Sequence, residues 1–160
     1  EGIHLQEAIH TAKEIDQKSK LCGFNQVALD QMARQGYGNA KFEVQGKFDV
    51  FYKCNCHHCQ KDTGSAHAAN LFSKSAKLTW LAGSDSVTTF MLAGTRHKKS
   101  FCKVCGSALP STHDAGFIVI PAGCLDTEVS MSPTAHIFTS SKAVWDKGLG
   151  DVPEFEGLPE

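Results

Sequence analysis

No stretch of the 160 residues approaches the roughly 20 consecutive apolar residues that cross a bilayer, so the chain carries no transmembrane helix signal. An excess of charge of either sign is missing too: the formal net charge is -1, which leaves no basic face for wrapping duplex nucleic acid. That balance, with 41% hydrophobic residues, also excludes the polar, highly charged composition of a disordered chain. Internal repeats and low-complexity segments are absent, which excludes a solenoid. Glu1 to Lys20 carry charges throughout and have no apolar leader core, so no secretory signal is expected there. What remains is the size and composition of one soluble globular domain.

Cysteine is what the chain has in quantity, and its placement is uneven. Of seven cysteines, Cys54, Cys56 and Cys59 fall within six residues, Cys102 and Cys105 form a second group, and Cys22 and Cys124 stand alone. An odd total in clusters this tight argues against a disulfide framework, whose cysteines are spread and paired across loops. A reducing, cytoplasmic setting is the corresponding expectation.

Hydrophobic periodicity divides the chain into an N-terminal helical prefix, 1–38, and a β domain, 39–160. Ile3, Leu5, Ala8, Ile9, Ala12 and Ile15 recur at helical spacing, and a second short helix is expected from Asn25 to Gln35, capped by Asn25 and closed by Gly36. After Gly36-Tyr37-Gly38 the period becomes two. Phe42, Val44, Phe48, Val50 and Tyr52 alternate around Gly46, which reads as two strands with a turn or bulge between them. Further strands are expected at Lys77–Leu81, Val87–Leu92, Lys98–Cys102, Phe117–Ala122 and His136–Thr139, with an irregular tail from Asp146. The fold class is therefore mainly β.

In a strand, side chains two apart share a face, so Cys54 and Cys56 extend the face of Val50 and Tyr52, and Cys59 joins them after a turn. Thiolates this close repel one another unless a cation sits among them, and zinc accepts cysteine ligands at such spacings. Three protein ligands leave a tetrahedral ion open to water or substrate, the feature that separates catalytic from structural zinc. Cys102-Lys103-Val104-Cys105-Gly106 reads as a zinc knuckle, half of a four-cysteine site, with Gly106 where the backbone needs positive φ. The five clustered thiols either share one ion or serve two.

Plainer readings stand beside these. Cys56-His57-His58-Cys59 fits a redox dithiol only if it opens a helix in a βαβ unit, which the pattern does not show. His57 and His58 read as exposed or as supports of the metal ligands, Cys124 as a buried apolar residue, and Arg96-His97-Lys98-Lys99 as a solvated hairpin face. Trp145 and Phe155 read as core or tail-docking aromatics. The amphipathic prefix is expected to pack on its own β core, where it is long enough to cover a sheet edge.

Taken in order, Phe42-Glu43-Val44-Gln45-Gly46, Cys54-Asn55-Cys56-His57-His58-Cys59-Gln60-Lys61, Thr63-Gly64-Ser65-Ala66, Phe101-Cys102-Lys103-Val104-Cys105-Gly106-Ser107, Ala122-Gly123-Cys124-Leu125-Asp126 and His136-Ile137 with Trp145 resemble the glutathione-dependent formaldehyde-activating enzyme family, which also includes centromere protein V. The resemblance covers about residues 40–160. It implies a Mss4-like zinc-binding β-sheet fold and carbon-sulfur lyase chemistry on S-hydroxymethylglutathione, with glutathione or another small thiol as partner. It further implies a labile catalytic-type Zn2+ on Cys54, Cys56 and Cys59 and a structural zinc on Cys102 and Cys105.

The chain departs from the family pattern in several places. The early Cys-x-Cys-Gly that completes the structural site is replaced by Gln35 and Tyr37 ahead of Gly38, so either that ion is lost or Cys22, with a histidine, completes it. Cys-His-Cys becomes Cys54-Asn55-Cys56, an arginine after the cluster becomes Gln60, and one before the knuckle becomes Lys99. A lysine lacks the bidentate fork with which arginine clamps a carboxylate. The expected mechanism has a thiol held as thiolate at the open zinc position, with His57, His58, His67, His113 or Asp126 as the general acid. The alternative is a non-catalytic, zinc-stabilised protein-binding module.

Overall fold

The computed structural model describes residues 17–19 and 40–158. The two helices expected over 3–15 and 25–35 lie outside the described residues. Within the prefix, β1 (Gln17–Ser19) is a strand the periodicity did not announce. It pairs antiparallel with β2 (Lys41–Gln45), Ser19 opposite Phe42 and Gln17 opposite Val44, so part of the prefix does cover a sheet edge.

The described strands form three small sheets. In the first, β2 lies between β1 and β5 (Lys77–Ala82). Strict alternation on β2 drives this packing: Phe42 and Val44 are fully buried while Lys41 and Gln45 face solvent, and Phe42 meets Trp80 edge-on with ring centroids 5.7 Å apart. The turn after β2 needs glycine. Gly46 has φ 126, and a Cβ there would lie 2.7 Å from the Ala76 Cα. Ser73, also buried, donates to the Lys47 carbonyl and accepts from the Ala76 amide at 2.9 Å, tying the same crossing together.

The second sheet is built around β3 (Val50–Cys54), β4 (Ala68–Ser73) and β10 (Phe117–Pro121), with β9 (Ser111–His113) and β11 (Ala135–Ile137) at its edges. Its neighbours are antiparallel except β11, which runs parallel to β3 and sets Ile137 opposite Cys54. The third sheet holds β6 (Val87–Met91), β7 (Lys98–Cys102) and β8 (Ala108–Leu109). All five strands expected after residue 76 are present, within two residues at each end. Strands β4, β8 and β9 were not expected, because Ala68–Ser73 mixes small and polar residues and the other two are very short.

Phe42, Val44, Phe51, Leu71, Leu109, Ile118 and Ile120 meet in the main core together with Cys102 and Cys124. A separate, smaller cluster contains Cys54, Cys59 and Ala68, with Cys56 and Ile137 against it. The architecture is mainly β, as expected, and fits a Mss4-like fold. One helix stands among the described residues, α1 (His57–Thr63), and it begins inside the cysteine triplet.

Candidate metal centre

Three different pieces of backbone deliver the three thiols. Cys54 is the last residue of β3, Cys56 caps α1, and Cys59 sits within α1 on its buried side. Cys56 has extended backbone and its Sγ accepts from the Cys59 amide at 3.4 Å, the bond a serine or aspartate makes at a helix start. Gly64 then closes the helix with φ 63, its amide bonding the Gln60 carbonyl. Strand periodicity thus accounts for Cys54, whereas the bend at Asn55 and the helix cap, not a continued strand, bring in Cys56. The three Sγ atoms lie within 4.8 Å of one another. Thiolates around a tetrahedral metal at about 2.3 Å stand roughly 3.8 Å apart, so the triplet could hold a metal ion, and an all-sulfur donor set is one that zinc favours.

The three thiols differ in how readily they ionise. Burial pushes Cys54 and, much further, Cys59 above the ordinary thiol range, and for Cys59 hydrogen bonds and charge from Cys54 and Cys56 add to the rise. Burial opposes ionisation of Cys56 as well, but hydrogen bonds from the Cys59 amide, the neighbouring thiols and the His58 amide outweigh it and lower that thiol. A divalent cation among them reverses this order, since coordinated thiols are deprotonated outright.

Two of the substituted family positions turn out to hold the loop. Asn55 is 1% exposed, and its Nδ2 donates to the carbonyls of Ile137 at 3.3 Å and Lys53 at 3.4 Å. Its backbone amide bonds the Ile137 carbonyl at 3.0 Å. Gln60 donates from Nε2 to the carbonyls of Asn55 at 2.6 Å and Ser141 at 2.8 Å. Sequence reading missed both as functional supports. A polar residue between two ligand cysteines was the available signal.

Cys102 and Cys105 do not join the triplet: among the described residues only Cys54, Cys56 and Cys59 come together as possible ligands. Cys102 is buried in the main core with Cys124, and Cys105 packs against the same cluster. A single ion shared by all five thiols is therefore excluded. The knuckle turn itself forms as expected, with Gly106 at φ 77 and its amide bonding the Cys102 carbonyl at 2.7 Å. Cys22, Gln35 and Tyr37, which bear on its completion, lie outside the described residues.

Beside the triplet a cavity of about 420 Å³ opens, within the size range of small-molecule sites. None of the three thiols lines it, but the next turn of α1 (Asp62, Thr63) and Ala68, the register partner of Cys54, form part of its wall. Lys98, Lys99 and Ser100 line it from β7 of the third sheet, and Ser111 from β9 of the second. The expectation of a solvated face at 96–99 is corrected here. Arg96 is exposed, but Lys99 pairs with the Asp62 carboxylate, His97 Nε2 lies 3.4 Å from the same carboxylate, and the His97 ring stands 5.5 Å from that of His58. The hairpin is pinned to α1 by an acidic residue that sequence reading had not connected to it.

The remaining candidates scatter. His57 and His58 are exposed on the first turn of α1, as expected. His113 stacks on Phe117 at 4.6 Å, at the cavity's far edge beside Ser111, and its pKa is lowered by burial and by Lys98. His67 is half-buried after the Gly64 cap, its pKa lowered by burial and by Lys53. Asp126 is exposed, while Cys124 is buried as expected. Trp145 and Phe155, expected in the core or docked, are instead 66% and 64% exposed, Trp145 on a short 3-10 turn and Phe155 beyond the last one. Opening a helix after a strand satisfies one condition of the redox reading. The other fails, because the flanking β3 and β4 are antiparallel.

No described helix is long and apolar enough to cross a membrane. A crystal structure of a Rhodobacter sphaeroides protein from a structural genomics programme is similar with a TM-score of 0.43 and 20% identity, covering 60% of this chain and 85% of that one. The sequence profile of the glutathione-dependent formaldehyde-activating enzyme matches residues 37–141, a span that takes in the triplet, α1, the cavity walls and the knuckle. The chain belongs to the glutathione-dependent formaldehyde-activating enzyme family.

Proposed function

We propose that the protein is a zinc-dependent carbon-sulfur lyase-type enzyme acting on the adduct of a thiol, such as glutathione, with an aldehyde, S-hydroxymethylglutathione being the type substrate. The observation that carries this reading is the three-thiol group of Cys54, Cys56 and Cys59, to which no fourth Cys, His, Asp or Glu is added among the described residues. A zinc ion held there supplies a Lewis-acid position that lowers the pKa of a substrate thiol. The knuckle thiols of Cys102 and Cys105 serve a separate, structural role.

In the synthetic direction the substrate thiol gives up its proton, its sulfur gives an electron pair to the aldehyde carbon, the C–S bond forms as the C=O π bond opens onto oxygen, and that oxygen takes up a proton; cleavage is the reverse. We assign that proton to His58, one of the five candidate acids. It lies on the first turn of α1 between Cys56 and Cys59, and it faces His97, behind which stands Asp62. The cavity beyond Asp62 and Thr63 receives the rest of the thiol compound, with Lys98 and Lys99 on its wall for a carboxylate. Since Lys99 is already paired with Asp62, the carboxylate contact is weaker and less directional than an arginine fork.

The test is a calorimetric titration of glutathione into zinc-loaded protein at neutral pH, followed by aldehyde addition. Saturable binding with release of about one proton, and turnover of the adduct, is the expected result. Zinc bound without thiol binding or turnover would favour the second reading, a non-catalytic module. That reading draws support from the exposed Phe138, Val144, Trp145, Val152 and Phe155.

A further inference from the structure

We propose that Gln60, acting with Asn55, is a positioning residue that holds the three thiols in metal-ready geometry and couples the site to the segment from Ile137 to Ser141. The inference rests on the reading of the triplet as a metal site. Its basis is the donor and acceptor pattern around the bend. Cys54 ends a strand, whereas Cys56 caps a helix of seven residues that carries Cys59, so the cap ties those two thiols together but regular secondary structure does not tie the pair to Cys54. Gln60 supplies that tie. It follows Cys59 directly on α1 and reaches back to the carbonyl of Asn55, the residue between Cys54 and Cys56, at 2.6 Å.

The same amide nitrogen donates its second hydrogen to the Ser141 carbonyl at 2.8 Å. Asn55 makes the matching connection from the bend, giving both its backbone amide and its Nδ2 to the Ile137 carbonyl. Every one of these acceptors is a backbone carbonyl. Both side chains act here as donors: a carboxylate or an apolar group at position 60 removes the bonds to the Asn55 and Ser141 carbonyls, whereas the Ile137 carbonyl keeps the Asn55 backbone amide if the Asn55 side chain is lost. Between Ile137 and Ser141, Phe138 is held at φ 55, a conformation that a bulky residue keeps only where the surroundings impose it. The Ser141 amide bonds the Phe138 carbonyl at 3.1 Å, so this turn presents the carbonyls of Ile137 and Ser141 to the metal loop.

Supports of this kind around metal ligands are worth about 10–100-fold in metal affinity. The experiment is a titration of metal-free protein with cobalt(II) chloride, read by the sulfur-to-cobalt charge-transfer band and the visible bands that report coordination geometry. Zinc affinity is then measured by competition with a chelator. Gln60→Leu keeps size and helix preference and removes both donated bonds; Gln60→Glu keeps shape and turns the end into an acceptor. Both are expected to lose tenfold or more in cobalt and zinc affinity and to alter the visible spectrum, while Lys61→Leu, at the next and exposed position of α1, retains wild-type values. Melting of the metal-free forms separates a lost support from a lost fold, since a merely structural role would lower the melting temperature and leave the cobalt spectrum of the folded protein unchanged. Wild-type affinity and spectrum in both Gln60 variants would overturn the inference. Absence of the charge-transfer band in the wild-type protein would instead overturn the metal-site reading on which it stands.

Discussion

Chemistry at the residue scale centres on Cys59, the thiol whose pKa burial and its two neighbours raise furthest and the one delivered from within a helix. Cys59→Ser replaces a soft thiolate donor by a hydroxyl that zinc does not favour in such a site. The expected outcome is loss of the zinc equivalent bound by the triplet, with adduct turnover falling to background; metal analysis after gel filtration and a turnover assay check it. Gly46 makes the complementary case for backbone. With φ 126 and the Ala76 Cα 2.7 Å from where a Cβ would sit, Gly46→Ala has to distort the crossing, at a cost of about 1–3 kcal/mol readable in urea unfolding. Gly64, at φ 63 with open space around it, carries only the conformational penalty of a left-handed cap. Gly64→Ala is accordingly expected to cost about 1 kcal/mol. Of these residues, the cysteines and Gly46 were legible in the sequence, because a metal cluster and a strand break both leave a local pattern. The contacts of Asn55 and Gln60 with the Ile137 and Ser141 carbonyls were not, since those partners lie more than 80 positions away.

Elements bring together what spacing alone leaves apart. Strands β2 and β3 follow from alternation and β5, β6, β7 and β10 from strand-forming runs between turn signals, while α1 escaped notice because seven residues with two histidines and a lysine carry no apolar stripe. Its start is set by Cys56 acting as the cap, so the residue that offers a metal ligand also shapes the helix that offers another. Helix and hairpin then meet through Asp62, which pairs with Lys99 and approaches His97. Asp62→Ala leaves a half-buried lysine without its anion and frees the cavity wall. We expect a loss of about 1–2 kcal/mol, between the values for exposed and buried pairs. We also expect a rise in KM for the thiol larger than the change in kcat, because the damage falls on the binding wall. Steady-state kinetics beside a urea titration separate the two effects.

For the whole molecule, pH links the fold to two half-buried histidines. Burial, with Lys98 beside His113 and Lys53 beside His67, holds both below their ordinary value of 6.5, so the unfolded chain takes up more protons than the folded one in the window beneath 6.5. Stability is thus fully present above about pH 6.5 and falls as pH is lowered through that window toward the folded values. Urea unfolding of metal-free protein at pH 7.5 and 5.5 is expected to show the drop, and His113→Phe, which keeps the stack on Phe117, a smaller one. The mainly β class, the position of most long strands, the clustering of thiols and the family were legible in the order of residues, because alternation, turn glycines and cysteine spacing are local patterns. Tertiary structure alone decided that the two cysteine groups lie in separate apolar clusters and that Lys99 answers to Asp62. It also decided that the bend at Asn55 is held by Ile137 and Ser141 and that Trp145 stands in solvent. Each of these depends on which distant segments pack together, and pairing of sheet edges and burial of donors against remote carbonyls leave no trace in the order of neighbouring residues.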